Sequence, residues 1–124
     1  MDSTELQTER YRQSLRAVPV RNASVRVVPG GAPDELLLEV PLKYGTVLGI
    51  LRRLLHARTA KTYALDGVGR EVYEEIDGQR DFEELIDRFA ERHKLTFLES
   101  RALLAQYLQI LVRRGLVVAT MPRG

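Results

Sequence analysis

Along the chain, the spacing of apolar positions turns helical for the rest of the sequence just after Leu65. Before that point, short runs rich in β-formers dominate. Ala23-Ser24-Val25-Arg26-Val27-Val28 and Glu35-Leu36-Leu37-Leu38-Glu39-Val40 flank the turn signal Pro29-Gly30-Gly31-Ala32-Pro33-Asp34, a pattern that predicts a β-hairpin. Residues 59–65, Thr-Ala-Lys-Thr-Tyr-Ala-Leu, read as a third strand that stops at Asp66-Gly67. Between hairpin and third strand, residues 44–57 set Val47, Leu48, Ile50, Leu51, Leu54 and Leu55 three and four apart, with Arg52, Arg53 and Arg58 among or just after them. That spacing predicts a short, basic amphipathic helix.

After Asp66 the period is helical. A first helix is predicted over 68–76, with Asp66 as a cap, Val68, Val72 and Ile76 four apart, and Asp77-Gly78 as the stop. A second begins at Asp81, where Glu84 three residues on forms a capping-box pattern, and it buries Phe82, Leu85, Ile86 and Phe89. A third begins at Thr96 with Glu99 in the same relation. It runs to Arg113-Arg114-Gly115, where two cations suit the negative helix end and glycine suits the position after the cap. Leu116-Val117-Val118-Ala119 adds a short closing strand, and residues 121–124 are expected to fray. The predicted class is α+β: a two-strand antiparallel hairpin plus a third strand, followed by three helices, with an extra amphipathic helix before the third strand.

Composition narrows the function. At 124 residues the chain is sized for one domain. No apolar run approaches the roughly 20 residues that span a bilayer. Residues 1–16 are polar and charged, without the apolar core of a secretory signal, so a cytoplasmic location is expected. There is no cysteine, which removes disulfides, thiolate metal sites and cysteine nucleophiles. His56 lies beside arginines and His93 lies in Glu91-Arg92-His93-Lys94, so both read as solvated rather than as ligands or bases. Glu74, Glu75, Glu83 and Glu84 invite a carboxylate-pair reading, yet acids in these helices have capping and solubility reasons to be there. Gly30-Gly31 and Gly67-Val68-Gly69 lack the lysine and the strand-to-helix context of a phosphate loop. The expectation is a protein without catalytic residues, metal or cofactor.

The net charge of +2 conceals an asymmetry, since residues 1–65 carry 10 bases and 6 acids, and residues 66–124 carry 9 and 11. Within 66–99 there are 11 acids against 5 bases. Such a segment repels a phosphate backbone.

The run Tyr63-Ala64-Leu65-Asp66-Gly67-Val68-Gly69-Arg70-Glu71-Val72-Tyr73-Glu74-Glu75-Ile76-Asp77-Gly78, then Asp81-Phe82-Glu83-Glu84-Leu85-Ile86, then Tyr107-Leu108-Gln109-Ile110-Leu111-Val112-Arg113-Arg114-Gly115-Leu116, resembles the PqqD family. That family supplies the precursor-peptide recognition elements of ribosomally made, modified peptides. Pro19-Val20-Arg21-Asn22 and Leu38-Glu39-Val40-Pro41 look like the N-terminal strands of longer relatives. The resemblance implies a small winged-helix-like fold over residues 17–120, preceded by a polar segment, 1–16. It implies that the domain binds a peptide and performs no chemistry: the leader of a precursor adds as a strand beside the third strand and packs against the third helix. The partner is then a modifying enzyme, often a radical-SAM protein. The chain departs from the pattern in its 44–57 helix and in Tyr73, where many relatives carry tryptophan.

The residues support such a site independently. Strand addition needs an unpaired edge and an apolar surface beside it. On a helical wheel of 97–113, Gln106, Gln109 and Arg113 share a narrow polar sector, while apolar residues fill about 220°, roughly twice what a core-facing stripe needs. Leu103, Tyr107, Ile110 and Leu111 form one flank, assigned to the core. Leu104, Ala105, Leu108 and Val112 form the other, assigned to a peptide groove, with Arg101 among them as an anchor for a peptide carboxylate. The alternative is that both flanks are buried. Lys61, Thr62 and Tyr63 are expected to contribute mainly through their backbones.

Other classes remain. The order of elements is shared with winged-helix nucleic-acid readers, and the sequence pI is about 9.1. However, a reading helix presents several polar and basic side chains, and the third helix is apolar over most of its surface. The basic 47–58 stretch fits an interfacial helix, or a packing helix whose arginines reach water. The same groove could serve an adaptor, and an open edge permits a homodimer by strand exchange.

Overall fold

The computed structural model describes residues 2–41 and 60–120. Its elements run α1 (Ser3–Arg16), β1 (Val18–Arg21), β2 (Arg26–Val28), β3 (Leu36–Pro41), β4 (Ala60–Leu65), α2 (Gly67–Glu75), α3 (Phe82–His93), α4 (Phe97–Arg113) and β5 (Val117–Thr120). The α+β class holds, with strands paired antiparallel throughout. The predicted helix over 44–57, together with His56 and the tail 121–124, lies outside the described residues. The chain divides into two compact units, Ala23–Arg70 and the combination of Met1–Asn22 with Glu71–Gly124.

The first of these is a three-stranded sheet in the order β2-β3-β4. The predicted hairpin forms, with Val27 opposite Leu38, and the third strand adds to it with Leu38 opposite Tyr63 and Glu39 opposite Thr62. The turn is closed from both sides. Glu35 N–H donates to the Ala32 carbonyl at 2.9 Å, and the Ala32 N–H donates to the Glu35 carboxylate at 2.9 Å. The first strand is shorter than the β-former run, which enters the ladder only at Arg26.

The second unit is built on helices. Both capping boxes form: the Asp81 carboxylate accepts from Glu84 N–H at 2.8 Å, and the Thr96 hydroxyl accepts from Glu99 N–H at 3.2 Å. Gly115, at φ +76°, ends α4. Its N–H donates to the Val112 carbonyl and that of Leu116 to the Leu111 carbonyl, both at 3.0 Å. Leu111 and Leu116, the two positions that customarily carry apolar side chains in this reversal, are both buried. Val72, Ile76, Leu85, Ile86, Phe89 and Leu104 fill the interior.

Ser100 is the buried polar residue of this core, and its hydroxyl donates to the Ile86 carbonyl at 2.7 Å, tying α4 to α3. Ser100→Ala is expected to cost about 1 kcal/mol, the usual net worth of such a bond, in urea unfolding. No loss of stability would show that the bond contributes nothing.

Two features of this unit were not foreseen. Ser3–Arg16 forms a helix, capped by Asp2, whose side chain accepts from Glu5 N–H at 2.8 Å. The segment 18–21, expected only as an N-terminal strand of longer relatives, pairs with β5, setting Pro19 opposite Ala119 and Val20 opposite Val118. Asn22 extends the pairing: its N–H donates to the Leu116 carbonyl at 2.9 Å and its Nδ2 to that of Gly115 at 2.8 Å.

Candidate functional site

β4 stands at the edge of its sheet, bonded to β3 on one side, and among the described residues no strand pairs with its other side. An edge strand offers backbone donors and acceptors to a further chain. Lys61 and Thr62 are exposed and Tyr63 is half-buried. The Lys61 ammonium lies 5.2 Å from the centre of the Tyr63 ring, a placement two residues apart on one face of the strand. A charge at this position also discourages indiscriminate pairing.

In the helical unit, α4 distributes its two apolar flanks differently from the wheel assignment. Leu104, assigned to the groove, is fully buried at 0% exposure and belongs to the core, with no surface to offer a peptide. Leu111, assigned to the core, is buried, while Leu103, Tyr107 and Ile110 are half-buried. The remaining groove residues do come together. Ala105, Leu108 and Val112 line a cleft of about 450 Å³ with Pro19, Phe82 and Ala119. Pro19 and Ala119 reach it together because cross-strand partners project to the same face. Ser14 and Ala17, at the end of α1, supply another wall, and the exposed Gln109 and Arg113 also line it. Val112 is 45% exposed, so this apolar surface is open to water.

Arg101 continues the same stripe one turn before Ala105. Its guanidinium lies 4.8 Å from the centre of the Tyr11 ring on α1, and its Nε is buried without a hydrogen-bond partner among the described residues. The α1 contributions were missed because residues 2–16 are so polar that only the Asp2 cap signals a helix at all.

Glu71 and Glu75 on α2 are held in ion pairs with the arginines of α3 and its N-terminal approach. Glu75 accepts from Arg88 Nε at 2.6 Å, Arg92 at 2.8 Å and Arg80 at 3.1 Å; Glu71 accepts from Arg92 at 2.6 Å. The Arg88 hydrogen bond, with the hydrogen bond and charge of Arg92, holds the Glu75 carboxyl down at about 2. His93 lies 3.0 Å from Glu71 and stacks on Phe89 with ring centres 5.4 Å apart. On the other side of α2, Arg21 lies 4.6 Å over the Tyr73 ring and donates to the Tyr73 and Glu74 carbonyls. Burial pushes the Tyr73 hydroxyl up, partly offset by that guanidinium. Glu84 is engaged in its capping box.

Among the described residues, no group of three or more histidines and carboxylates could hold a metal ion. No described helix is long and apolar enough to cross a membrane. No curated protein and no solved structure matches the chain. The family model described as coenzyme PQQ synthesis protein D (PqqD) matches residues 53–117. This stretch contains β4, the three helices that follow it in sequence and the start of β5, more than half of the sequence, and the chain belongs to the PqqD family.

Proposed function

We propose that this chain is a non-catalytic peptide-binding protein that takes the leader segment of a ribosomally made precursor as an added strand on β4 and presents it to a modifying enzyme of the radical-SAM type. The observation that carries this reading is the edge position of β4, with Lys61 and Thr62 exposed along it. Backbone bonding there supplies affinity without demanding a particular sequence, and side chains elsewhere supply selection. In the helical unit, Arg101, Ala105, Leu108 and Val112 on α4 are proposed as peptide-binding side chains: three line an open apolar cleft and the fourth is a cation on the same stripe. Family membership supports a peptide-binding partner in the biosynthesis of coenzyme PQQ or related ribosomal peptides.

The test is amide exchange with and without saturating synthetic peptides that tile the leader of a short precursor encoded beside the gene. Exchange across residues 60–65 is expected to slow at least tenfold with one of them, as newly bonded strand amides do. Peptide binding with unaltered exchange at 60–65 would rule out strand addition on β4.

A further inference from the structure

Helix α1 is a poor fit to the surface it covers. None of its side chains is buried, and a 14-residue helix is marginal by itself in water. Tyr11 makes the stacking contact with Arg101, yet remains 37% exposed. An aromatic face answers the charge of a guanidinium but not its N–H donors, and Arg101 Nε is left buried without an acceptor among the described residues. Further along, α1 sets a hydroxyl and a methyl, those of Ser14 and Ala17, against Ala105, Leu108 and Val112. These groups leave the cleft of about 450 Å³ unfilled. α1 also packs against α3, and just past its end the Ala17 carbonyl accepts from Phe82 N–H at 2.8 Å.

From this we infer that α1 is a removable cover on the α4 stripe from Arg101 to Val112, and that the segment displacing it is an acidic peptide with apolar side chains. A carboxylate on Arg101 supplies both the charge and the acceptor that Tyr11 cannot, in the short, charge-assisted geometry that guanidinium favours. A leucine-sized side chain occupies the cleft that Ser14 and Ala17 leave open. Charge selects the sign of the partner: among the described residues, Arg113 lines the cleft and no carboxylate does. Pivoting about Ala17, α1 can leave while the Phe82 hydrogen bond stays. The inference rests on the reading above for a peptide ligand and for the α4 side chains that meet it, and adds the cover and the acidic character of the peptide.

Two measurements on the full chain test it. In Tyr11→Ala without any ligand, amides of residues 3–16 are expected to exchange about fivefold faster or more, the equivalent of one cation–π contact, while those of α3 and α4 keep their rates. With a fluorescein-labelled decapeptide of alternating leucine and glutamate as probe, Tyr11→Ala is expected to bind about fivefold more tightly than the parent chain, since the competing cover is weakened. Arg101→Gln added to Tyr11→Ala removes that gain, and a leucine–lysine decapeptide shows none. Loosening of α4 in Tyr11→Ala would mean that α1 is an integral part of the fold, and equal probe affinity in the two chains would mean that it covers nothing; either overturns the proposal. If leader peptides protect 60–65 but Tyr11→Ala changes no affinity, strand addition stands and the cover falls. If the Tyr11→Ala gain appears without protection at 60–65, the reverse holds.

Discussion

Leu104→Ala is expected to lower the unfolding free energy by about 3 kcal/mol, the middle of the range for deleting a fully buried leucine and leaving a cavity. Leu108→Asp, one turn further along α4, is expected to leave the chain folded. The two positions belong to the same apolar flank on a helical wheel, and only packing separates them. Leu104 has 0% exposure, so its lost methyl groups leave a hole among core side chains. Leu108 borders an open cleft, where an aspartate can turn its carboxylate to water. Because small domains are stable by about 5–15 kcal/mol, the Leu104 loss is a large fraction of the whole. Urea unfolding followed by helical circular dichroism reads both. The same Leu108→Asp chain is expected to bind an acidic or apolar peptide at least tenfold more weakly, through lost apolar contact and like charge. If Leu108→Asp unfolds the chain, the cleft belongs to the core; if it stays folded and binds unchanged, the cleft takes no part in recognition.

The Leu104 assignment shows where reading the sequence stops. An apolar arc of about 220° says that α4 has more than one apolar face, but periodicity carries no information on which neighbour covers which face. Ends of helices are different, because their causes are local. The Asp81–Glu84 and Thr96–Glu99 capping boxes and the left-handed Gly115 could be read from residues three or four apart, and each forms as expected. The hairpin was legible for the same reason, its turn residues lying between two β-rich runs. Pairing of β1 with β5 joins opposite ends of the chain, and nothing near Val18 specifies Thr120 as its partner. Helix α1 is an intermediate case. Its cap is local and readable, but its place on Arg101 depends on one tyrosine in a polar segment. The candidate peptide surfaces divide along the same line: the edge position of β4 follows from strand order, whereas the cleft on α4 depends on what packs against it.

The acids of α2 show the same division and lead to the second large effect. Glu84 and Glu99 could be understood as caps, but Glu71 and Glu75 gain their partners only because α3 brings Arg88 and Arg92 alongside. Glu75→Gln is expected to cost about 1–2 kcal/mol at pH 7. A carboxyl lowered from 4.5 to about 2 corresponds to roughly 3 kcal/mol of linkage, and exposure of the arginines to solvent reduces that. The folded carboxyl is the stronger acid, so the unfolded chain takes up the proton first as pH falls. The contribution of Glu75 is therefore complete above about pH 5 and disappears as pH drops from there towards 2. In urea unfolding, the gap between parent and Glu75→Gln should be constant from pH 7 to about 5, then close on acidification. Salt at about 1 M should narrow it at pH 7, because the arginine ends of the pairs are exposed. A gap that persists unchanged at pH 3 would mean that Glu75 acts through packing and hydrogen-bond shape rather than through its charge.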